Sequence, residues 1–307
     1  MTQPTIAKIC ALAAGILVLP TVSFAGTAAA GKAAKPIVEQ VKESCISGDL
    51  GVNVVSQYIS RGFIFENQGA IIQPYADLYF KLYEGEGFVN KVSLALGIWN
   101  SFHSRHTDAG LVSGGTSSTR GWYEFDFTAG IAVTFAKNFT LTPAYYTFLS
   151  PADGFTTFHG LNVALAYDDS DALGKFALHP KLQVLFELEN KTDGSGRDEG
   201  IYYEVSVAPA LPAFGDLTVS FPIAAGFGSS EFYAANETFG FATGGVSLAY
   251  AMSFVPECYG TWTATAGYAY YYLGDAVDNY NTAAVGGTVR DRSSSEHVFS
   301  GGVSVAF

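Results

Sequence analysis

The last eleven residues, His297-Val298-Phe299-Ser300-Gly301-Gly302-Val303-Ser304-Val305-Ala306-Phe307, sort into two faces. Odd positions from Phe299 onward are Phe, Gly, Val, Val and Phe, and even positions are Ser, Gly, Ser and Ala. A period of two belongs to a β-strand, whose side chains point alternately to opposite sides. One side here suits lipid and the other a filled or wet interior. Such a strand, ending on Phe, reads as the closing strand of a transmembrane β-barrel, with Val303, Val305 and Phe307 as the signal for an outer-membrane assembly machinery. Lipid offers no partners to an open backbone edge, so the rest of the chain is committed to a closed sheet.

The opposite end predicts export. Ile9 to Leu19 is an apolar run behind Lys8, followed by Ser23-Phe24-Ala25 with small residues at the recognition positions. Cleavage is expected after Ala25, with Ala28 and Ala30 as alternatives, so residues 1–25 read as a signal peptide. The run is shorter than the roughly 20 residues of a spanning helix, and no later segment approaches that length. Residues 26–48 read as a periplasmic segment, with Pro36 placed to open one or two helical turns. Residues 49–307 read as the barrel.

Composition fits this reading. Hydrophobic residues make up 49% and charged residues 14%, against about 25% charged in ordinary soluble domains. The chain carries 24 Phe, 18 Tyr and 3 Trp, rings that favour membrane interfaces. A net charge of −12 argues against a nucleic-acid partner. The expected partners are outer-membrane lipid, the assembly machinery and small polar solutes, with the protein as a monomer, and no pattern calls for a cofactor.

Twelve segments alternate between clusters of Gly, Pro, Asn and Asp. They are 49–64, 70–83, 89–102, 121–136, 139–149, 157–168, 179–189, 200–211, 215–227, 239–253, 260–273 and 296–307. The clearest is Trp122 to Phe135, where Tyr123, Phe125, Phe127, Ile131 and Val133 alternate with Glu124, Asp126, Thr128 and Thr134. With both termini periplasmic, connections at one end are mostly short and those at the other mostly long, as barrels of this kind require. The exception is Asp169 to Leu178, and a misread connection there would give ten or fourteen strands. A soluble two-sheet β protein is the alternative fold.

Alternation turns eight charged side chains inward: Arg61, Asp77, Lys81, Glu124, Asp126, Lys181, Glu187 and Glu204. Buried charge is costly unless it is paired or wet. These residues therefore either satisfy one another inside a filled barrel or line a pore, whose excess of acids would favour cations weakly. Taking 49–64 as one wall strand places Arg61 beside Tyr75 and Asp77, and a salt bridge to Asp77 is expected. Cys45 and Cys258 fall at the same end, and an oxidising compartment would allow a disulfide.

Three other patterns carry less. His103, His106 and Asp108 have spacing that could hold a transition metal, but polar loops commonly carry such residues without one. His103-Ser104 invites comparison with outer-membrane lipases, though no orienting acid is identifiable. The loop Asp193 to Glu199 lacks calcium-loop spacing.

The opening hairpin contains Ser56-Gln57-Tyr58-Ile59-Ser60-Arg61-Gly62, followed by Gln73-Pro74-Tyr75. A Ser-x-Tyr-x-x-Arg-Gly stretch before a Gln-bearing second strand resembles the TorF-type family of outer-membrane porins over about the first forty barrel residues. The resemblance implies a Gram-negative outer-membrane barrel, with Arg61 as the one position carried over. Three functions stand after this reading: a passive channel for small polar solutes or ions, a closed structural or surface-binding barrel, and a lipid-modifying enzyme using His103 and Ser104.

Overall fold

The alternation is realised as the wall of a closed barrel. The structure, a computed structural model, describes residues 44–105, 121–192, 199–233, 237–283 and 294–307. The expected signal peptide, nearly all of the 26–48 segment, His106, Asp108 and residues 193–198 lie outside these residues. No described helix is long and apolar enough to cross a membrane.

Strand β1 (Ile46–Val55) is followed by two short strands, β2 (Tyr58–Ser60) and β3 (Phe63–Glu66). The antiparallel series continues with β4 (Ile71–Glu84), β5 (Val89–His103), β6 (Gly121–Phe135), β7 (Phe139–Leu149), β8 (Phe158–Tyr167), β9 (Lys181–Glu189) and β10 (Ile201–Val207). It ends with β11 (Leu217–Ser220), β12 (Ile223–Gly228), β13 (Phe239–Ala251), β14 (Thr261–Leu273) and β15 (Ser295–Ala306). A four-residue helix α1 (Ser170–Leu173) follows β8, and α2 (Asp275–Ala283) follows β14.

β11 and β12 are one stave. Both keep a single register on β13, from Leu217↔Tyr250 through Ser220↔Ser247 to Ile223↔Gly244, and the label breaks only at Pro222, which has no N–H for the ladder. β2 and β3 pair with each other outside the wall sheet. The wall therefore has twelve strands, and it closes where β1 pairs with β15 from Asp49↔Ala306 to Val55↔Ser300. The terminal residue takes part in closure: Phe307 N–H donates to Gly48 O (3.0 Å) and Gly48 N–H to Phe307 O (2.9 Å). Gly48 leaves room there for the Phe307 ring, which a Cβ would meet at 2.5 Å.

Outward positions such as Leu50, Val54, Ile72, Ile98, Ile131 and Leu182 form an exposed apolar belt. Aromatic contacts rim it at both ends. Phe88, Phe135, Phe139 and Tyr167 form a chain with centroid separations of 5.6, 5.7 and 4.6 Å at the end that holds the start of β1 and the C-terminal Phe307. At the other end Phe102 stacks on Trp122 (5.8 Å), and Phe239 contacts both Phe227 (5.8 Å) and Tyr272 (6.2 Å). An apolar band between aromatic girdles is the surface a bilayer selects. The terminus-bearing end is called the short-turn end below, and its partner the long-loop end.

The wall departs from expectation in the first segment. β1 starts at Ile46 rather than at residue 49 and leaves the wall after Val55, so residues 58–66 lie in the lumen instead of extending the strand. The expected Cys45–Cys258 bridge is also absent, both thiols being free and exposed. Cys45 runs along β4, its carbonyl accepting from Lys81 N–H (2.8 Å), whereas Cys258 sits in the β13–β14 turn. β15 runs between β1 and β14. Two strand spacings of about 4.8 Å exceed the roughly 7 Å between Cα atoms that a disulfide spans.

Candidate functional site

The lumen of the long-loop half is occupied by the chain's own β2–β3 hairpin. The sequence supplies the reason: Tyr58-Ile59-Ser60-Arg61-Gly62-Phe63-Ile64-Phe65 has no polar alternate face, the pattern of strands covered on both sides. Tyr58, Ile59, Ser60, Phe63, Ile64, Phe65 and Glu66 are all buried. The two-residue turn has φ of +54° at Arg61 and +91° at Gly62, as a tight hairpin requires. A Cβ on Gly62 would also press on Val277 of α2 at 3.1 Å.

Polar anchors fix the hairpin on three sides. Where it leaves β1, Ser56 N–H donates to Phe299 O and Phe299 N–H to Ser56 Oγ (both 2.9 Å), and Gln57 Nε2 donates to Glu296 Oε2 (2.9 Å). Across the turn, Asn281 of α2 accepts from Ile64 N–H (3.0 Å) and donates to Gly62 O (3.1 Å). Tyr233 OH donates to Arg61 O (2.8 Å). On the wall side Tyr58 OH donates to Glu124 Oε2 (2.8 Å). Around these bonds Tyr58 packs on Phe65, Trp99, His103 and Tyr123 at centroid distances of 5.1 to 6.4 Å. Burying Tyr58, Ile59, Phe63, Ile64 and Phe65 at about 1.5–3 kcal/mol each gives roughly 8–15 kcal/mol of anchoring. The hairpin is therefore a fixed plug rather than a swinging gate.

Where the hairpin returns to the wall, Glu66 accepts from Asn67 N–H (2.9 Å) and Gln68 N–H (2.8 Å). His103 lies behind it, Nδ1 at 4.0 Å from Glu66 Oε2 and Nε2 at 2.9 Å from Ser101 Oγ, stacked on Tyr123 at 4.5 Å. The order serine, imidazole, carboxylate resembles a hydrolase triad. Ser101 is 0% exposed, however, and a nucleophile must meet substrate. The His103-Ser104 pairing expected for a lipase is not formed either: Ser104 Oγ accepts from Ala70 N–H (2.8 Å), closing the loop while His103 points inward. The group anchors the base of the hairpin.

The eight expected inward charges fall into three settings. Arg61 is at the hairpin turn instead of on the wall, with its guanidinium over the rings of Phe148 (5.3 Å) and Tyr202 (5.9 Å) and bonded to Ser60 Oγ (3.0 Å). It makes no ion pair with Asp77 or with any other described residue. The inward fold of residues 58–66 carries it away from the wall position that would face Tyr75. It acts electrostatically on Glu124 and Asp126, two inward neighbours on β6 that are 5% and 1% exposed. A cavity of ≈ 10 Å³, about the room of one water, lies between Arg61, Tyr58, Ser60, Glu124, Phe148 and Lys191.

Glu187 belongs to the second setting, since it closes a loop. It accepts from Thr192 N–H (2.8 Å), Thr192 Oγ1 (2.9 Å) and Gly200 N–H (2.8 Å) and lies 3.5 Å from Lys191 Nζ. Asp77, Lys81, Lys181 and Glu204 form the third setting, on the inner wall toward the short-turn end. Lys81 bonds Glu84 at 2.8 Å, and Glu204 accepts from Tyr202 OH (2.7 Å). Lys81, Lys181 and Glu204 keep partial solvent contact, as do Asp49, Asn53, Ser206 and Thr265 on the same inner face.

No family model matches the chain, so the TorF-type resemblance rests on Ser56 to Tyr75 alone. No curated protein matches it either. Solved structures match it at low identity. The NanC porin is 14% identical, with 83% of this chain and 98% of that chain covered and a TM-score of 0.45. An outer-membrane channel from Pseudomonas putida F1 is 10% identical over 88% and 97%, with a TM-score of 0.48. The transport unit of the autotransporter AIDA-I from Escherichia coli is 9% identical over 88% and 93%, with a TM-score of 0.41. Porins and an autotransporter stand side by side among these neighbours, so the likeness does not select a function.

Proposed function

We propose that this chain is an outer-membrane channel of the porin type, narrow and weakly cation-preferring, that passes small polar solutes or ions around a fixed internal hairpin. The observation that carries this reading is the inner face of the short-turn half. Asp49, Lys81, Lys181, Glu204, Ser206 and Thr265 point away from the apolar belt and still meet solvent, so the solvent they meet is inside the barrel. A purely structural barrel needs no charged, hydrated vestibule, and burying charges without water is costly.

Polar atoms along the inner wall support this reading. Gln73 Nε2, Thr142 Oγ1, Asn162 Oδ1 and Gln183 Oε1 are buried without a hydrogen-bond partner among the described residues. Each such atom costs about 1–3 kcal/mol, a cost that water relieves when side chains rotate. The apolar contacts keep the hairpin in place while the polar inner wall favours hydration. Acids outnumber bases on this path, which favours cations.

In this reading both termini face the periplasm, the girdles contact outer-membrane lipid, the assembly machinery reads Val303, Val305 and Phe307, and the protein acts as a monomer. The TorF-type label belongs to the same proposal. The closed-barrel alternative is favoured by the density of the hairpin packing. Planar-bilayer recording of the folded protein separates the two: small, salt-dependent, cation-preferring conductance is expected, and the absence of any conductance from folded protein would overturn the channel.

A further inference from the structure

The outward face of the barrel carries the same side-chain pair twice. Basic residues are scarce in the strands: Lys81, Lys91 and Lys181 stand toward the short turns, and Arg61 and His103 lie inside the barrel. Among the described strand residues, His159 on β8 and His297 on β15 are then the basic side chains on the outward faces near the long loops. Each sits beside a tyrosine of the preceding strand. His159 Nδ1 is hydrogen-bonded to Tyr145 OH, with the two rings stacked at 6.0 Å and 21°. His297 Nδ1 is hydrogen-bonded to Tyr268 OH at 2.9 Å, with the rings stacked at 6.0 Å and 28°. The register is also the same. Thr147 stands opposite His159 and Tyr270 opposite His297, and each bonding tyrosine lies two residues before that partner, the diagonal position that long side chains reach across paired strands.

A hydrogen-bonded tyrosine and imidazole always leave a donor over. If the hydroxyl donates to Nδ1, the imidazole keeps its proton on Nε2; if Nδ1 donates, the hydroxyl proton is free. Neither imidazole has a second hydrogen bond among the described residues. On a soluble protein water would accept from the spare donor. Here both tyrosines stand on the apolar belt, and His297 lies two residues inside Ser295, which pairs with Tyr272 of the long-loop aromatic girdle. The hydrocarbon of a bilayer offers no acceptor, so a donor held at the girdle is matched to headgroup oxygen. Charged phosphate oxygens are the strongest acceptors at that depth. The two pairs stand on opposite sides of the wall, β7–β8 against β14–β15, so each arises from its own strands.

We propose that the Tyr145–His159 and Tyr268–His297 pairs are two binding sites for phosphate-bearing lipid headgroups in the leaflet next to the long loops. The phosphate accepts from the pair, and the acyl chains run down the apolar belt past Leu161 and Val163 below His159 and past Phe299 below His297. The sites differ in one respect. Exposed Glu189 stands opposite His159, whereas Glu296 beside His297 is engaged by Gln57. The His297 site therefore holds phosphate the more tightly. Both sites are separate from the lumen and do not depend on the channel reading.

The test uses the full-length protein folded in detergent and native mass spectrometry, with phosphatidic acid as the probe and diacylglycerol of the same acyl chains as its phosphate-free counterpart. His159→Phe and His297→Phe keep a ring in the belt and remove the nitrogens, and heat-modifiable gel migration checks that each variant is a folded barrel. Two copies of phosphatidic acid, held at least about tenfold more tightly than diacylglycerol, are the expected result for the parent, the factor that a hydrogen bond to a charged acceptor supplies. Each single variant should lose one copy and the double variant should lose the preference. Tyr268→Phe, which releases the ring and keeps its nitrogens, should weaken the His297 site less than His297→Phe does. Equal retention of the two lipids by the parent would overturn the proposal. A phosphate preference that survives in the double variant would overturn it as well, by placing the headgroup on loop residues such as Arg105. Conductance plays no part in either readout.

Discussion

The two halves of the barrel interior are built on opposite principles. Toward the long loops the lumen is a dry core in which Tyr58, Phe63, Tyr123, Phe158, Tyr202 and Tyr233 pack on one another at 3% exposure or less. Toward the short turns the inner wall is polar: Asp77, Thr140, Thr142, Gln183, Ser247 and Thr263 are buried beside Asp49, Lys81, Lys181 and Glu204, which keep contact with solvent. Both halves have the same alternating wall. What differs is the β2–β3 hairpin, so one eight-residue run with no polar face decides where the interior narrows around a packed core and where it stays open to solvent.

The contrast is broken most directly by removing the hairpin. Val55 and Ile71 are paired residues of β1 and β4, so residues 57–68 can be replaced by a short Gly-containing turn without moving the wall. Conductance in planar bilayers should rise on the order of tenfold or more, since a twelve-stranded lumen without a plug is wide enough for solutes. An unchanged conductance would show that the hairpin does not set the constriction.

Stability should divide along the same line. Tyr58→Ala or Phe63→Ala is expected to cost about 3–5 kcal/mol in denaturant unfolding from detergent, whereas Thr218→Ala in the wet half should cost less than about 1 kcal/mol. Equal losses would mean that the short-turn half is packed as well. Asn281→Ala strands Ile64 N–H and Gly62 O and should cost about 2–4 kcal/mol, read in the same unfolding experiment. A loss below about 0.5 kcal/mol would show that α2 does not hold the hairpin. The smallest effects belong to the vestibule charges. Glu204→Gln should lower the cation preference measured by reversal potential, and Lys181→Gln should raise it, each with stability changed by about 0.5 kcal/mol or less. Shifts in the opposite sense would remove these residues from the ion path.

Strand number and closure were legible because they rest on a period of two, a local property of sequence. Phe307, read as the end of a closing strand, does close the sheet, on Gly48. The inward turn after Val55 was not read, although its signal is present. Ile59, Phe63, Ile64 and Phe65 leave no polar face, and Arg61-Gly62 suits a tight turn; treated as a wall strand, the run put Arg61 beside Asp77. Anchors such as Asn281 and Tyr233 lie more than 170 residues away from the hairpin in sequence, and no local pattern links them to it. The Cys45–Cys258 expectation failed for a related reason: sharing an end of a barrel does not place two residues on adjacent strands.

Water access inside the barrel tests the two-part interior most directly. In a Cys10→Ser/Cys45→Ser/Cys258→Ser background, Ser206→Cys probes the short-turn half and Ile59→Cys probes the hairpin, each exposed in the folded state to a charged, membrane-impermeant thiol reagent. Modification of position 206 at least about a hundredfold faster than position 59 is the expected result, because labelling of a sealed site waits on local opening. Equal rates at the two positions, whether both fast or both slow, would contradict a dry plug above a wet vestibule.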